Sequence, residues 1–347
     1  MSERDDLLAA VANTISSYRT AEIVVPTPAH VDTWLNQFTP ASQLPFLREF
    51  AHVIAQRYLS RAGVTTFLEG LAGNAALVGQ DPVDFWRKAN VLQIQANGQS
   101  QNEMVALLAD VLMRRYGVAG HECGREKNVF IYLDDILFTG NRVATDLEAW
   151  IRNAAPNAAT LHIVLVAFHT SGQYYLSTNR LKKAVDASGK AIKINYWRAV
   201  ELENRNAYRD RSDVLWPAVL PGAPEVQQYL PKQGRFPIEL RPPGNQQQSI
   251  FSSEAGRQVL ESEFLIAGAK ILAKTTNPKE VIRPLGFGMF GLGFGSTVVT
   301  YRNCPNNCPL ALWWGEPGSC NPAMQWYPLL PRKTYGPFQQ APVRYFA

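Results

Sequence analysis

The residues best suited to chemistry are two adjacent aspartates, Asp134 and Asp135, which directly follow the apolar run 129–133. Carboxylates at the end of a buried strand lose their hydration, so they are unfavourable there unless a ligand or a metal ion meets them. The carboxyl ends of strands are also where open α/β sheets bind ligands. The pair therefore predicts a ligand site at this edge of a sheet, although a turn that caps the next helix without any ligand is an alternative.

A tight turn follows the two acids and precedes a predicted helix. Backbone N–H groups at the start of a helix bind phosphate, and a threonine hydroxyl in the turn adds a further donor. We expect the turn to hold a ribose 5-phosphate while the two aspartates contact the two ribose hydroxyls. The predicted ribose-phosphate segment consists of Ile136, Leu137, Phe138, Thr139, Gly140, Asn141 and Arg142. A haloacid-dehalogenase-like site is disfavoured, because it needs Asp-x-Asp rather than adjacent acids.

A second candidate anion site is the loop Ala96, Asn97, Gly98, Gln99 and Ser100, between a predicted strand and a predicted helix. Gly98 and Ser100 would let the backbone approach an anion closely. The same residues are equally consistent with an ordinary glycine turn in which Ser100 caps the helix.

Histidine and cysteine offer weaker candidates. His169 follows a predicted inner strand, where it could act as a general base or contact a leaving group, or could simply be a satisfied histidine at the sheet edge. The spacing of Cys304, Cys308 and Cys320 does not match a zinc ribbon. We therefore expect consecutive turns with buried thiols and no metal bound directly by cysteine.

The elements that must position these residues alternate between strand and helix. Apolar patterns predict strands at 91–95, 129–133 and 161–168, with helices at 101–116 and 142–153 between them. Such alternation is typical of parallel strands joined by helical crossovers. The fold class predicted is α/β, a doubly wound parallel sheet with helices on both faces.

Three consecutive segments are predicted along the chain. Residues 1–87 form a helical N-terminal layer, residues 88–230 form the α/β core, and residues 231–347 form a turn-rich C-terminal extension packed on that core. The stretch 180–211 is basic and contains interleaved aromatics, so it predicts either a partly helical, solvated face or, less favourably, a nucleic-acid contact.

Composition limits the classes of function. The net charge of +5 is too small for a chain of 347 residues to imply nucleic-acid binding by itself. The most apolar stretch, 284–299, has 16 residues with five glycines, and a spanning helix needs about 20 residues. The polar first residues and the four cysteines complete the expectation of a cytoplasmic protein without a membrane span.

The run 130–143 resembles the phosphoribosyl-pyrophosphate signature of type I phosphoribosyltransferases. Together with the runs 31–38, 95–104, 283–287 and 294–315, it resembles the phosphoribosyltransferase-like family of prokaryotic conflict systems, including retron-type antiphage operons. The resemblance covers about residues 28–340. It implies a type I phosphoribosyltransferase-like sheet and an antiphage effector that acts on a phosphoribosyl donor or a nucleotide.

The resemblance also assigns roles. Asp134 and Asp135 would be catalytic, the loop 96–100 would bind pyrophosphate, and Mg²⁺ would arrive largely on pyrophosphate oxygens. Expected partners are phosphoribosyl pyrophosphate or a nucleotide, and a defence protein such as a reverse transcriptase. Nucleic acid is a less favoured partner.

The sequence departs from that family pattern at three places. Phe138 and Arg142 replace hydroxyl residues, and residues 117–128 are short for the hood that usually covers the substrate. Arg142 could offset the lost hydroxyls by a charge-assisted contact, and without an anion its charge would oppose the helix dipole. An inactive nucleotide-sensing module and a nucleic-acid-binding adaptor therefore stay open as alternatives.

Overall fold

A computed structural model describes residues 2–95, 99–230, 237–244, 250–276, 278–288 and 291–333, and the backbone of 344–345. The α-helices are α1 Glu3–Thr14, α2 Pro28–Leu35, α3 Gln43–Arg57, α4 Arg61–Ala72, α5 Ala75–Val78, α6 Pro82–Lys88, α7 Ser100–Tyr116, α8 Asn141–Asn153, α9 Thr170–Tyr175, α10 Lys182–Ser188, α11 Pro224–Tyr229, α12 Glu254–Ala273 and α13 Leu310–Trp313. The strands are β1 Tyr58–Leu59, β2 Asn90–Gln93, β3 Val129–Leu137, β4 Ala158–His169, β5 Ala191–Leu202, β6 Val299–Thr300 and β7 Arg344–Tyr345. Within the described ranges, no helix is long and apolar enough to cross a membrane.

The chain folds into two compact units. Unit 1 contains residues up to 61 together with 203–333, and unit 2 contains 62–202 together with strand β7. The chain thus passes from one unit to the other after residues 61 and 202. Residues up to 61 belong to unit 1 because the N-terminal helices bury their apolar faces against residues that come much later in the chain. The sequence-based boundaries at 87 and 230 describe order along the chain and stay a prediction.

Unit 2 is built on a five-stranded sheet with the order β5-β4-β3-β2-β7. Strands β2 to β5 are parallel, and β7 pairs antiparallel with β2. Strands β3 and β4 lie in the interior of the sheet and pair with each other along the length of β3, with Tyr132 opposite Ile163. Both strands are buried along almost their entire length. Continuous apolar strands of this kind are expected where helices cover both faces. The predicted α/β fold class is confirmed.

Helices pack against both faces of this sheet. Leu147 and Trp150 of α8 join one cluster with Phe130 and Tyr132 of β3. His162 of β4 instead contacts the ring of Phe85 in α6 and the indole of Trp197 in β5. Helix α8 begins beyond the end of β3 and runs back along one face of the sheet, while α6 lies against the other face.

The edge strand β5 was not predicted. The interpretation of this stretch as basic and partly helical is wrong for residues 191–202, although α10 lies just before it. Ile192, Ile194 and Tyr196 alternate with more polar residues, which is the pattern of a half-buried strand. The lysines and arginines of the stretch obscured that alternation.

Unit 1 has a core of helices and aromatic rings. Trp34 lies 4.9 Å from both Phe38 and Phe50, and Phe264 of α12 packs against Phe46 at 5.2 Å. Helix α12 begins at the N-cap Ser253, whose hydroxyl accepts the N–H of Gly256 at 3.0 Å. Serine is among the residues preferred at this position.

A buried charge network lies beside this core. Glu261 is buried and accepts hydrogen bonds from Arg257 at 2.7 Å and from Arg241 at 3.0 Å. The N–H of Trp216 also donates to Glu261 at 3.0 Å. Burial raises the pKa of Glu261 in spite of the two guanidinium groups. Removing any one of these charged groups should destabilise the folded state, because it leaves another charge buried and uncompensated.

We predict that Glu261→Ala lowers the free energy of unfolding by about 3 to 5 kcal/mol, the range for breaking a buried ion pair. Urea unfolding followed by circular dichroism measures the change. Glu316→Ala is the control, because Glu316 is an exposed carboxylate of the same unit and its loss should change stability little. Equal effects of the two variants would show that the network contributes nothing beyond an exposed charge.

Candidate functional site

The two candidate acids lie at the carboxyl end of β3, next to β4. Asp134 pairs in register with Leu165, and its side chain is 0% exposed. The Asp135 side chain is 17% exposed and its Oδ1 accepts the N–H of Ile136 at 2.7 Å. The strand thus extends four residues further than predicted and carries both acids within it.

Arg142, in the first turn of α8, binds both acids. Its Nη2 donates to Asp134 Oδ2 at 2.6 Å and lies 3.7 Å from Asp135 Oδ1. The Arg142 charge was expected to be unfavourable at the helix N-terminus without a bound anion, but the chain itself supplies two carboxylates to compensate it. Sequence reasoning missed this pair, since nothing in the spacing of residues 134 and 142 shows that a side chain in the first turn of the helix reaches back to the strand.

The charge of Asp134 is compensated from several directions. Burial by itself would raise the pKa of this carboxyl, but the charge of Arg142, a hydrogen bond with Ser100 and the N–H of Asp135 together lower it below its usual value. In turn, the Asp134 charge raises the pKa of Arg142. Asp134 is therefore ionised at neutral pH, and Arg142 is its countercharge.

The turn between β3 and α8 has a conformation that depends on glycine. Gly140 has φ +77°, which residues with a side chain adopt only with strain. Gly172, in α9, lies so close to the turn that an added Cβ would be 1.8 Å from the carbonyl oxygen of Phe138. Helix α9 therefore fixes the position of the turn and, with it, the start of α8.

His169 lies beneath this turn. It is fully buried, its Nδ1 donates to the carbonyl of Leu137 at 3.1 Å, and its ring stacks on Phe138 at 5.0 Å. These contacts support the turn at its base. A role of His169 in proton transfer stays a prediction.

The remaining residues of the predicted phosphate segment differ in what they offer a ligand. Ile136 and Leu137 are buried in β3, so only their backbone is suited to contact an anion. Thr139 Oγ1 accepts the N–H of Asn141 at 3.5 Å, a long hydrogen bond that a stronger partner could replace. The N-terminus of α8 directly follows.

A second arginine reaches the same helix terminus. Arg180 donates to Asn141 Oδ1 at 3.1 Å and forms a fork with Glu148 at 2.7 and 2.9 Å. It belongs to a π-helical stretch, Leu176–Leu181, which is a local geometry that often marks functional sites. Sequence analysis placed Arg180 in a basic face and did not connect it with the turn.

The predicted pyrophosphate loop is described only in part. Ala96, Asn97 and Gly98 lie outside the described residues, while Gln99 precedes α7 and Ser100 is its first residue. Ser100 is therefore not the helix cap. It is buried, accepts a hydrogen bond from Gln95 at 2.9 Å, and bonds to Asp134.

Gln101 ties the ends of two strands together. Its Oε1 accepts the N–H groups of Ile94 at 2.6 Å and Gln95 at 2.8 Å, and its Nε2 donates to the carbonyl of Leu133 at 3.4 Å. The sequence carried a signal for it, because Gln101 falls on the apolar stripe of α7 with Met104 and Leu108 and is fully buried. A polar residue on such an apolar stripe indicates that its side chain makes specific buried hydrogen bonds.

Among the described residues, no group of three histidine, cysteine or acidic side chains could hold a metal ion. Cys304 and Cys308 are buried, and Cys308 Sγ donates to the carbonyl of Val298 at 3.3 Å. Cys320 is exposed. The absence of a cysteine-bound metal stays a prediction.

Comparison with known proteins gives one family match. The family model PRTase-CE matches residues 31–332. All of the site residues named above fall in this range, from Ile94 and Gln95 to Arg180. No curated protein and no solved structure matches the chain.

The close approach at Gly172 leads to a prediction about stability. Gly172→Ala should lower the free energy of unfolding by about 1 to 3 kcal/mol, since the methyl group must displace the Phe138 carbonyl. Gly70→Ala in α4 is the control, because an added Cβ there meets nothing within 4 Å and should be neutral or stabilising. Chemical denaturation of both variants measures the difference. If Gly172→Ala is as stable as Gly70→Ala, helix α9 does not fix the turn.

The Asp134–Arg142 pair predicts a pH dependence. Folding lowers the pKa of Asp134 below its ordinary value of 3.8, so the pair stabilises the folded state above that value and the stabilisation is lost as the pH falls through the lowered pKa. The stability difference between wild type and Asp134→Asn should therefore be largest near neutral pH and shrink in acid. Thermal unfolding of both proteins between pH 7 and about pH 3 measures it. A difference that stays constant over this range would contradict the assignment.

Proposed function

The chain belongs to the PRTase-CE family, which confirms its resemblance to phosphoribosyltransferase-like proteins, and from this premise we propose that it binds the phosphoribosyl group of phosphoribosyl pyrophosphate or of a nucleotide. The observation that carries the proposal is the position of Asp134 and Asp135. They lie near the carboxyl end of a central parallel strand, and a glycine turn and the N-terminus of α8 follow that strand. Carboxylates and helix N–H groups at one sheet edge match the two polar parts of a ribose 5-phosphate.

Each part of the site has a role in this proposal. Asp134 and Asp135 accept hydrogen bonds from the two ribose hydroxyls. The backbone of the turn and the Thr139 hydroxyl hold the 5-phosphate, with Arg142 supplying charge. Ser100, the last residue of the predicted pyrophosphate loop, hydrogen-bonds to Asp134, which supports a role for that loop in binding the pyrophosphate of the donor.

The oxygen donors at this edge fit a magnesium ion that a ligand brings with it. Asp134 and Asp135 are hard oxygen donors of the kind Mg²⁺ prefers, and two carboxylates complemented by phosphate oxygens are a common arrangement. Magnesium would be held by these acids and the pyrophosphate, and it would neutralise charge on the leaving pyrophosphate. The protein itself would contribute by positioning the ribose and by stabilising positive charge on it, rather than through a covalent nucleophile.

A second candidate function is ligand sensing without catalysis. Two observations favour it. Arg142 is bound to the acids that a substrate would need, and residues 117–128 contain a single 3₁₀ turn, Gly120–Glu122, and no strand that could form a hood. A site that holds a nucleotide without excluding water is suited to signalling to a partner.

The cellular role we propose is that of an effector in antiphage defence, with a defence protein such as a reverse transcriptase as partner. Support for this comes from the sequence resemblance to proteins of conflict systems, and not from the site. A nucleic-acid adaptor is less favoured. Several cations of the stretch 180–211 are neutralised by nearby acids, in the pairs Arg180–Glu148, Lys182–Asp186, Arg198–Glu201 and Arg205–Glu203.

We predict that Asp134→Asn with Asp135→Asn weakens binding of ribose 5-phosphate by about 1.5 to 3 kcal/mol or more, the range for one lost hydrogen bond to a charged group. Calorimetric titration in the presence of Mg²⁺ measures the affinity. Asp110→Asn is the matched control, because Asp110 is an exposed acid of α7 in the same unit. Unchanged affinity in a folded double variant would place the ligand elsewhere.

Catalysis and sensing are separated by a second measurement on the same proteins. Incubation with isotope-labelled phosphoribosyl pyrophosphate or nucleotides should release labelled pyrophosphate or base if the protein is an enzyme. Binding without release would favour the sensor. In either case the double variant should lose protection of cells against phage.

A further inference from the structure

The Asp134 carboxylate is 0% exposed and already accepts hydrogen bonds from three donors of the protein. Oδ1 accepts the N–H of Asp135 at 2.9 Å, Oδ2 accepts Arg142 at 2.6 Å, and Ser100 bonds to the same carboxylate. Because no part of this carboxylate is exposed, a ribose hydroxyl can reach Asp134 only if one of these donors moves aside.

Only one of the three donors is placed to leave. The N–H of Asp135 is part of the strand backbone, and Ser100 is 4% exposed at the start of α7. The Arg142 side chain, by contrast, is 43% exposed. Its backbone lies in the first turn of α8, where the phosphate of the proposed ligand would sit. Arg142 is therefore the donor that a ligand can displace.

The departure of Arg142 has to be compensated at both ends. The Asp134 side chain is 0% exposed, so its charge cannot be left to water, and a buried carboxylate without a partner is strongly unfavourable. The two ribose hydroxyls could replace Arg142 at the carboxylates of Asp134 and Asp135. A phosphate at the α8 terminus could in turn receive the guanidinium in a charge-assisted, bidentate contact.

We propose, resting on the function proposed above, that Arg142 makes the phosphate a condition for ribose binding, so that the site selects 5-phosphorylated ribosides with an intact 2,3-diol and rejects nucleosides. A ligand with the diol alone must displace Arg142 without offering it a partner. A ligand with phosphate alone draws Arg142 away and leaves Asp134 uncompensated. Only a molecule that carries both groups completes the exchange, so the two parts bind cooperatively.

The test is an NMR titration of the full chain with separate probes for each half of the ligand. Methyl β-D-ribofuranoside supplies the diol, inorganic phosphate supplies the anion, and ribose 5-phosphate supplies both. In the wild type, saturating phosphate should raise the affinity for the riboside by about 10-fold or more, within the usual range of coupling between two ligands. Replacing ribose 5-phosphate by 2-deoxyribose 5-phosphate should weaken binding by a similar factor.

Arg142→Gln should abolish the coupling. In this variant the riboside should bind equally well with and without phosphate, and in the absence of phosphate it should bind more tightly than to the wild type. Arg152→Gln is the matched control, because Arg152 is an exposed arginine at the other end of α8 and should leave the coupling unchanged. If Arg142→Gln does not fold, Arg142→Lys keeps the charge but not the planar fork, and the coupling should then fall without disappearing.

The outcomes separate the inference from the function on which it rests. A wild type that binds ribose 5-phosphate with independent contributions from riboside and phosphate would overturn the inference alone. Coupling that persists in Arg142→Gln would do the same. A wild type that does not bind ribose 5-phosphate would overturn the proposed function and the inference together.

Discussion

The carboxylate of Asp134 is fully buried at the end of the central strand, and most of the site is arranged to compensate its charge. Arg142, Ser100 and the N–H of Asp135 all meet it. These partners come from three elements, so the start of α7, the end of β3 and the start of α8 must stay together for the charge to be tolerated. One carboxylate thus links the start of α7 with the start of α8.

Much of the core of unit 2 could be predicted because its signals are local. The apolar runs of β3 and β4, the helices between them and the two acids followed by a glycine turn are each readable within about ten residues of sequence. The strand β3 was predicted to end at residue 133 but ends at Leu137. Aspartate is a poor strand former, and this part of β3 is stabilised by its pairing with β4.

Other features depend on contacts that no local pattern encodes. Arg142 was expected to await an external anion, and its pairing with Asp134 depends on how α8 follows the turn. Gln101 and Arg180 matter through hydrogen bonds to other elements. Strand β5 was hidden by its charged residues, and the joining of residues 1–61 with 203–333 reflects long-range burial of apolar surface. Tertiary packing decides such cases.

We propose above all that the edge of the sheet at Asp134 is a ribose-phosphate site in which Arg142 controls access of the ligand to the carboxylate. A crystal structure of the protein with ribose 5-phosphate and Mg²⁺ tests it most directly. We expect the two ribose hydroxyls on Asp134 and Asp135, the phosphate at the N-terminus of α8, and the guanidinium of Arg142 moved from the carboxylate to the phosphate. A ligand bound elsewhere, or bound here with Arg142 still on Asp134, would contradict the account.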